Sequence, residues 1–263
     1  MASQFRVSLV QSDISWENRA ENLSRYEKRL RRLRGKTDLA ILPETFTTGF
    51  SMQVEALADE MEGETIRTVR RWAKDFGFAI TGSFIAKEGG RNYNRGFFVT
   101  PEGACHIADK RHLFRMGGED DFYSAGESRE TISYLGWKIR LLICYDLRFP
   151  VWSRNIDNGY DLLLVCANWP APRRHVWSSL LTARALENMS YVCGVNRVGT
   201  DGEGLSYSGD SCLIDAYGNA LTTMQPDLVQ VETVDIDLES LHRFRDKFPA
   251  WMDADRFQLI EEG

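Results

Sequence analysis

The chain lacks the features of a disulfide framework, a zinc site or a membrane span. Its five cysteines are odd in number and far apart, and no C-x-x-C pair occurs, so neither disulfides nor bound zinc are indicated. No apolar run approaches the ~20 residues that cross a bilayer. The N-terminus lacks the charged and apolar segments of a secretory signal. A soluble protein of a reducing cytoplasm is therefore predicted.

The chain also has fewer positively charged than negatively charged side chains. The chain has 32 Lys and Arg against 38 Asp and Glu, a net charge of −6, which argues against nucleic acid or an anionic membrane as the main partner. With 263 residues, 43% of them hydrophobic, the chain fits one large α/β domain better than two.

Several common catalytic signatures are missing. There is no G-x-S-x-G elbow, Walker A or H-E-x-x-H motif, and Gly202–Tyr207 begins like G-x-G-x-x-G without the final glycine. None of the four histidines has a local signature that pairs it with a cysteine. Papain-like Cys–His chemistry is therefore not indicated.

Apolar strands alternate with helical segments over most of the chain. Leu39–Leu42 is typical of a strand covered on both faces, and Asp161–Cys166 is predicted to form a further strand. Apolar periodicity predicts a helix over Glu64–Phe76, and another from Cys144 to about Asn158. Hairpins separate two βαβ-like passages. The pattern predicts a four-layer α-β-β-α sandwich formed by residues 1–263 as a single domain.

Three polar residues, Glu44, Lys110 and Cys144, each follow an apolar strand. Taken singly they are weak signals, because a cysteine in an apolar run is usually a small buried side chain and a charge after a strand is usually surface. Neighbouring strand ends would converge, and the set then makes chemical sense. A carboxylate can activate a thiol, while an ammonium lowers the thiol pKa and stabilises an oxyanion. The backbone N–H of Tyr145 is the natural second oxyanion donor.

These residues stand in motifs that resemble the nitrilase (carbon–nitrogen hydrolase) superfamily, and within it the chain is similar to the bacterial omega-amidase branch. The resemblance covers nearly the whole chain, in the family's order. The matching segments are Pro43-Glu44, Lys110–Phe114, Cys144–Phe149, Asn168–Pro170, Asn196–Gly199 and Phe248–Trp251.

The resemblance implies a Cys-Glu-Lys triad, with Cys144 as nucleophile, Glu44 as general base and Lys110 stabilising the tetrahedral intermediate. Glu119 matches the family's second glutamate. The implied reaction is two-step acyl transfer to water through a thioester. It requires neither a metal nor an organic cofactor. The family's fold is the same sandwich, and its members usually form homodimers, here with residues 241–263 packing as a C-terminal tail at the interface.

The branch implies a small substrate, 2-oxoglutaramate or 2-oxosuccinamate, whose carboxylate calls for a cation. Arg148 is the first candidate, and Arg173 and Arg115 are lesser ones. Arg148 could instead pair with Asp146 and brace the turn. Trp169 could line the pocket or belong to the core.

Three alternatives stay open. The Tyr-Asp pair after Cys144, where true nitrilases carry Trp-Glu, favours an amidase. An N-carbamoyl amino acid hydrolase or an aliphatic amidase could nevertheless use the same triad. A non-catalytic regulatory homologue is a third reading.

Overall fold

A computed structural model describes residues 4–259 as two stacked β-sheets with helices on both outer faces. Within this range the strands are β1 (Gln4–Gln11), β2 (Leu39–Ile41), β3 (Ala79–Glu88), β4 (Arg91–Val99), β5 (Cys105–Asp109), β6 (Ile132–Tyr134), β7 (Trp137–Ile143), β8 (Leu162–Ala167), β9 (Tyr191–Asn196), β10 (Val198–Thr200), β11 (Ser206–Ser208), β12 (Cys212–Ile214) and β13 (Gln230–Asp237). The α-helices are α1 (Arg19–Arg31), α2 (Val54–Leu57), α3 (Glu64–Phe76), α4 (Pro150–Ser153), α5 (Arg174–Asn188) and α6 (Leu238–Lys247).

The first sheet has the strand order β13-β1-β2-β3-β4-β5, with β1, β2 and β3 parallel and the other pairs antiparallel. Helices α1 and α3 cover its outer face. In α3 the buried Ile66, Val69 and Trp72 recur at helical spacing, and Gly77 ends the helix at a φ of +76°, a left-handed cap that favours glycine. The predicted bounds of this helix are confirmed.

The second sheet has the order β12-β9-β8-β7-β6, with β7, β8 and β9 parallel. Every residue of β8 and β9 is buried, as expected of strands covered on both faces. Helix α5 packs on the outer face, close against β9. A Cβ at Gly194 would lie 2.6 Å from a methyl carbon of Leu181, so glycine permits this close approach.

The inner faces of the two sheets form the main core. Val7 and Leu9 of the first sheet belong to the same buried cluster as Leu141 of the second. Gly96 in β4 lets the sheets approach, because a Cβ there would lie 2.6 Å from Leu141 Cδ2. Helices, sheet, sheet and helix therefore form the predicted four-layer α-β-β-α sandwich, which is confirmed.

The helix predicted from Cys144 to about Asn158 is wrong. The chain forms a 3₁₀ turn over Cys144–Arg148 and then the single-turn helix α4. After α4 the Asn155 side chain accepts a hydrogen bond from the Tyr160 N–H at 3.1 Å and donates to the Tyr160 carbonyl at 2.9 Å. This local loop replaces helical hydrogen bonds, as asparagine side chains commonly do.

Helix α6 lies on the second sheet through Arg245, whose guanidinium donates to Asp161 at 2.8 Å. The predicted dimer contact of residues 241–263 stays a prediction, and its last four residues lie outside the described range. None of the helices within residues 4–259 is long and apolar enough to cross a membrane.

Candidate active site

The candidate residues follow strands that end at one edge of the stacked sheets. Strand β2 ends shortly before Glu44, and β7 ends directly before Cys144. Strand β5 runs in the same direction as β3, two antiparallel steps away, and ends directly before Lys110. The structure brings these ends together, and Lys110 Nζ lies 3.1 Å from Glu44 Oε1.

Cys144 begins its 3₁₀ turn in an uncommon backbone conformation. Its φ is +44°, in the left-handed region that residues with side chains rarely adopt. Two residues on, the Asp146 carboxylate accepts a hydrogen bond from the Ile143 N–H at 3.2 Å and closes the turn. The thiol lies 3.8 Å from the Asn168 carbonyl oxygen. Such strain persists where neighbouring contacts hold it, and it clusters at active sites.

Glu44 is buried and accepts three hydrogen bonds. Its Oε2 accepts from the Asn168 N–H at 2.7 Å, and its Oε1 accepts from Asn94 Nδ2 at 2.7 Å and from Lys110 Nζ at 3.1 Å. These donors fix the orientation of the carboxylate. The geometry therefore places an oxygen that can accept a proton beside the thiol.

Lys110 is an ammonium held between two carboxylates. Besides Glu44, it donates to both oxygens of Glu119, each at 2.9 Å. Burial opposes its charge, but Glu119, and after it Glu44, outweigh this effect and raise the pKa of Lys110 well above its ordinary value. A fixed positive charge thus faces the site.

Glu119, the sequence candidate for the second glutamate, lies in this buried cluster. Its Oε2 also accepts a hydrogen bond from the Phe114 N–H at 2.6 Å. Burial raises the pKa of Glu119, an effect that Lys110 opposes and the charge of Glu44 reinforces. Two buried carboxylates therefore share one buried ammonium.

The thiol of Cys144 is protonated at rest. Burial raises its pKa well above the ordinary value, and the charge of Glu44 adds to this, whereas Lys110 lowers it. As the sequence predicts, Lys110 lowers the pKa of the thiol, but burial and the charge of Glu44 together raise it by more. Activation requires proton transfer to a base and not a standing thiolate.

The cluster forms the floor of a cavity of about 720 Å³. Arg148, Trp169 and Arg173, the sequence candidates for substrate binding, all line it, as does Tyr145. Arg148 lies over the Trp169 ring with its guanidinium carbon 5.0 Å from the centroid, and Arg173 lies 5.5 Å from the centroid of Phe114. Two guanidinium groups therefore line the same cavity as the thiol.

Comparison with known proteins agrees with this geometry. The profile of the family described as "Carbon-nitrogen hydrolase" matches residues 6–246. The chain belongs to this family. Omega-amidase YafV of Escherichia coli (strain K12) is 43% identical over 97% of this chain and 98% of its own. The 2-oxoglutaramate amidase of Bacillus subtilis (strain 168) is 33% identical over 95% and 97%. The predicted similarity to the omega-amidase branch is confirmed.

A solved structure of the same family matches the fold. XC1258 from Xanthomonas campestris, a CN-hydrolase superfamily protein with an arsenic adduct in its active site, is 43% identical. Its TM-score is 0.95, over 98% of this chain and all of the other. The protein is therefore a carbon–nitrogen hydrolase, and it is an amidohydrolase.

Among residues 4–259, Asp146 has hydrogen-bond partners other than Arg148, the residue with which it could have formed a brace. Asp146 bonds to the Ile143 N–H and to His112, and within residues 4–259 no ion pair joins it to Arg148. Arg148 remains half-buried in the cavity.

Other sequence candidates are also placed. Arg115 is 87% exposed and pairs with Asp120 outside the cavity. Trp169 serves both roles considered for it, because it lines the cavity and packs on Trp177 in the core with ring centroids 5.5 Å apart.

Sequence reasoning missed two buried asparagines of the hydrolase. Asn94 donates to Glu44, and the Asn168 side chain donates to the Glu44 carbonyl oxygen at 2.8 Å. Asn168 belongs to the Asn168–Pro170 motif, but the motif alone assigns no contact to its side chain. The sequence signal for Asn94 is that a polar amide lies within β4, a strand whose other residues are mostly buried.

Proposed function

We propose that this hydrolase releases ammonia from the terminal amide of small 2-oxo dicarboxylic acid monoamides, through an acyl thioester on Cys144. The observation that carries the proposal is the buried thiol of Cys144 beside Glu44 and Lys110, on the floor of a cavity that two arginines line. Thiol, base and fixed cation are the parts that thioester-forming acyl transfer needs.

The first step forms the thioester. Glu44 takes the thiol proton as sulfur bonds to the amide carbon, and the electron pair of the C=O bond moves to oxygen. Lys110 and the Tyr145 backbone N–H stabilise this oxyanion. When the carbonyl re-forms, the C–N bond breaks and the amine nitrogen takes the proton from Glu44, leaving as ammonia.

The second step hydrolyses the thioester. Glu44 takes a proton from water as the water oxygen bonds to the acyl carbon. The C–S bond then breaks, the carboxylic acid leaves, and the proton held by Glu44 returns to sulfur. Glu119 remains bonded to Lys110 throughout and keeps the ammonium in place.

The substrate class rests on the two cavity arginines and on the relatives. Omega-amidase and 2-oxoglutaramate amidase are the names of proteins 43% and 33% identical to this chain. A guanidinium can hold a carboxylate through two parallel hydrogen bonds. Arg148, whose ring contact with Trp169 limits its motion, is the residue we assign to the substrate carboxylate, with Arg173 beside it.

A panel of substrates tests the proposal. Ammonia release is measured for 2-oxoglutaramate, an N-carbamoyl amino acid and the neutral butyramide, with wild type and Cys144→Ser. We expect the largest kcat/KM for 2-oxoglutaramate, a mass increase on Cys144 that matches the acyl group, and no turnover by Cys144→Ser. Preference for the carbamoyl compound would move the assignment to that class. Undiminished turnover by the serine variant would refute the thioester.

A further inference from the structure

One neutral side chain, Asn94, connects the two carboxylates of the site. It is fully buried on β4. Its Nδ2 donates to Glu44 Oε1 at 2.7 Å and approaches Glu119 Oε1 at 3.4 Å, a weaker contact. It does not line the substrate cavity. Within the site the Asn94 side chain therefore contacts only the glutamates among residues 4–259, and its replacement should act on the reaction through them.

A hydrogen-bond chain fixes which way the Asn94 amide faces. The Thr45 N–H donates to Ser83 Oγ at 2.8 Å, and Ser83 Oγ lies 2.9 Å from Asn94 Oδ1. Because the hydroxyl has one hydrogen and its oxygen already accepts from Thr45, that hydrogen is available for Asn94 Oδ1. The NH₂ group must then face the glutamates. A flipped amide would turn its oxygen toward a carboxylate.

We propose that Asn94 is a positioning residue: oriented by Ser83, its amide holds the Glu44 carboxylate aligned with Cys144. The inference rests on the proposed function, in which Glu44 is the base. Asn94 is well suited because it stabilises the anion without adding charge. Without the amide, Glu44 Oε1 would have Lys110 alone as its donor.

The charges around Glu44 come from several elements. Lys110 faces it from the end of β5, Glu119 from a 3₁₀ turn and Cys144 from the end of β7. Its charge also reaches the buried side chains of Cys166, Tyr123 and Tyr207. In this setting the replacement of Asn94 by leucine removes one donor to the Glu44 carboxylate and changes no charge.

The test compares Asn94→Leu, Ser83→Ala and the double variant with wild type. We expect Asn94→Leu to lower kcat about 10- to 100-fold with little change in KM, and to move the acid limb of the pH–rate profile up by about one unit. Ser83→Ala should give a smaller shift in the same direction. In the Asn94→Leu background it should add nothing, because Ser83 acts through Asn94.

A second readout does not depend on the substrate. Alkylation of Cys144 by iodoacetamide also needs Glu44 as base, so its acid limb should move with that of kcat. Asn92→Leu is the matched control: Asn92 lies on the same strand, but its amide reaches the exposed Glu55 at 3.4 Å. It should leave both profiles unchanged. Thermal unfolding checks that each variant is folded.

The outcomes separate the two proposals. Acid limbs that stay in place in both Asn94→Leu and Ser83→Ala, with Cys144→Ser inactive, would overturn the role of Asn94 and leave the proposed function standing. Additive effects of the two substitutions would also overturn the coupling through Ser83. Turnover by Cys144→Ser would defeat the proposed function itself, whatever the asparagine variants do.

Discussion

Asp146 accepts two hydrogen bonds from His112, one from its backbone N–H at 2.9 Å and one from Nδ1 at 2.8 Å. His112 lies two residues after Lys110, and Asp146 lies two residues after Cys144. The contact therefore joins the segment that carries the ammonium to the turn that carries the thiol. This contact therefore helps to set the distance between the Lys110 ammonium and the Cys144 thiol.

Replacing Asp146 should impair catalysis more than folding. Asp146→Ala removes the carboxylate that closes the turn at the Ile143 N–H, so Cys144 loses support for its left-handed backbone. We expect kcat to fall about 100-fold, as for a misplacement of about 1 Å. The free energy of unfolding should fall by about 1–3 kcal/mol, because the turn's buried N–H is left unpaired. Steady-state kinetics and urea unfolding measure the two effects.

Asp120→Ala is the control for that substitution. Asp120 lies in the loop after Lys110, and its one ion pair among residues 4–259 is with the exposed Arg115 at 3.4 Å. An exposed pair of this kind contributes little, so the unfolding free energy should change by less than about 0.5 kcal/mol. Equal losses of activity in the two variants would mean that the His112–Asp146 contact does not set the geometry.

Arg148→Met should discriminate between charged and neutral substrates. If the guanidinium holds the substrate carboxylate, its loss removes about 1.5–3 kcal/mol of binding, and kcat/KM for 2-oxoglutaramate falls about 10- to 100-fold. Butyramide, which has no carboxylate, should lose less than about threefold. Arg115→Met, outside the cavity, should change neither value. A parallel loss with both substrates would indicate that Arg148 acts as a structural brace.

The titration of Cys144 should respond to Glu44 in a defined direction. Burial and the negative charge of Glu44 both raise the pKa of the thiol, so the wild type should show no Cys144 thiolate absorbance near pH 8. Glu44→Gln removes the charge and keeps the shape, so the thiolate should appear at lower pH, by about one unit or more. Absorbance near 240 nm is recorded against pH, with Cys144→Ser subtracted.

Glu203→Gln provides the comparison for the titration. Glu203 is an exposed acid that lines the same cavity, and solvent screens its charge from the thiol. The titration should therefore stay where it is in the wild type. A Glu44→Gln curve that coincides with the wild type, or moves to higher pH, would contradict the electrostatic account of the site.

The residues that sequence predicts best are those whose position is encoded locally. Cys144 and Lys110 directly follow strands β7 and β5, whose ends lie at one edge of the stacked sheets. The bounds of α3 are equally local, since apolar periodicity and Gly77 define them. These local patterns, together with the family motifs, predict that two sheets stack and that the site residues meet at their edge.

What sequence does not predict depends on partners far along the chain. Asn94 meets Glu44 across 50 positions, and no local pattern marks that contact. The segment after Cys144 has helical composition, but the Asn155 N–H donates to the side chain of Asn188 at 2.8 Å, 33 positions away. Tertiary hydrogen bonds of this kind override local propensity.

Arg245 should contribute strongly to stability. It is 3% exposed, and its guanidinium donates to Asp161 Oδ1 and to the carbonyl oxygens of Tyr160 and Met189, each at 2.8 Å. Arg245→Met would leave the buried Asp161 without its cation, which costs about 3–5 kcal/mol. Arg243→Met, an exposed neighbour on α6 whose ion pairs are 3.7 and 3.8 Å long, should cost less than about 0.5 kcal/mol. Urea unfolding compares the two, and equal midpoints would show that Arg245 does not anchor the helix. Asp161 also accepts a hydrogen bond from the Lys138 N–H of β7 at 3.0 Å. A double variant with Asp161→Asn removes the unpaired charge and keeps this acceptor, so it should recover part of the loss.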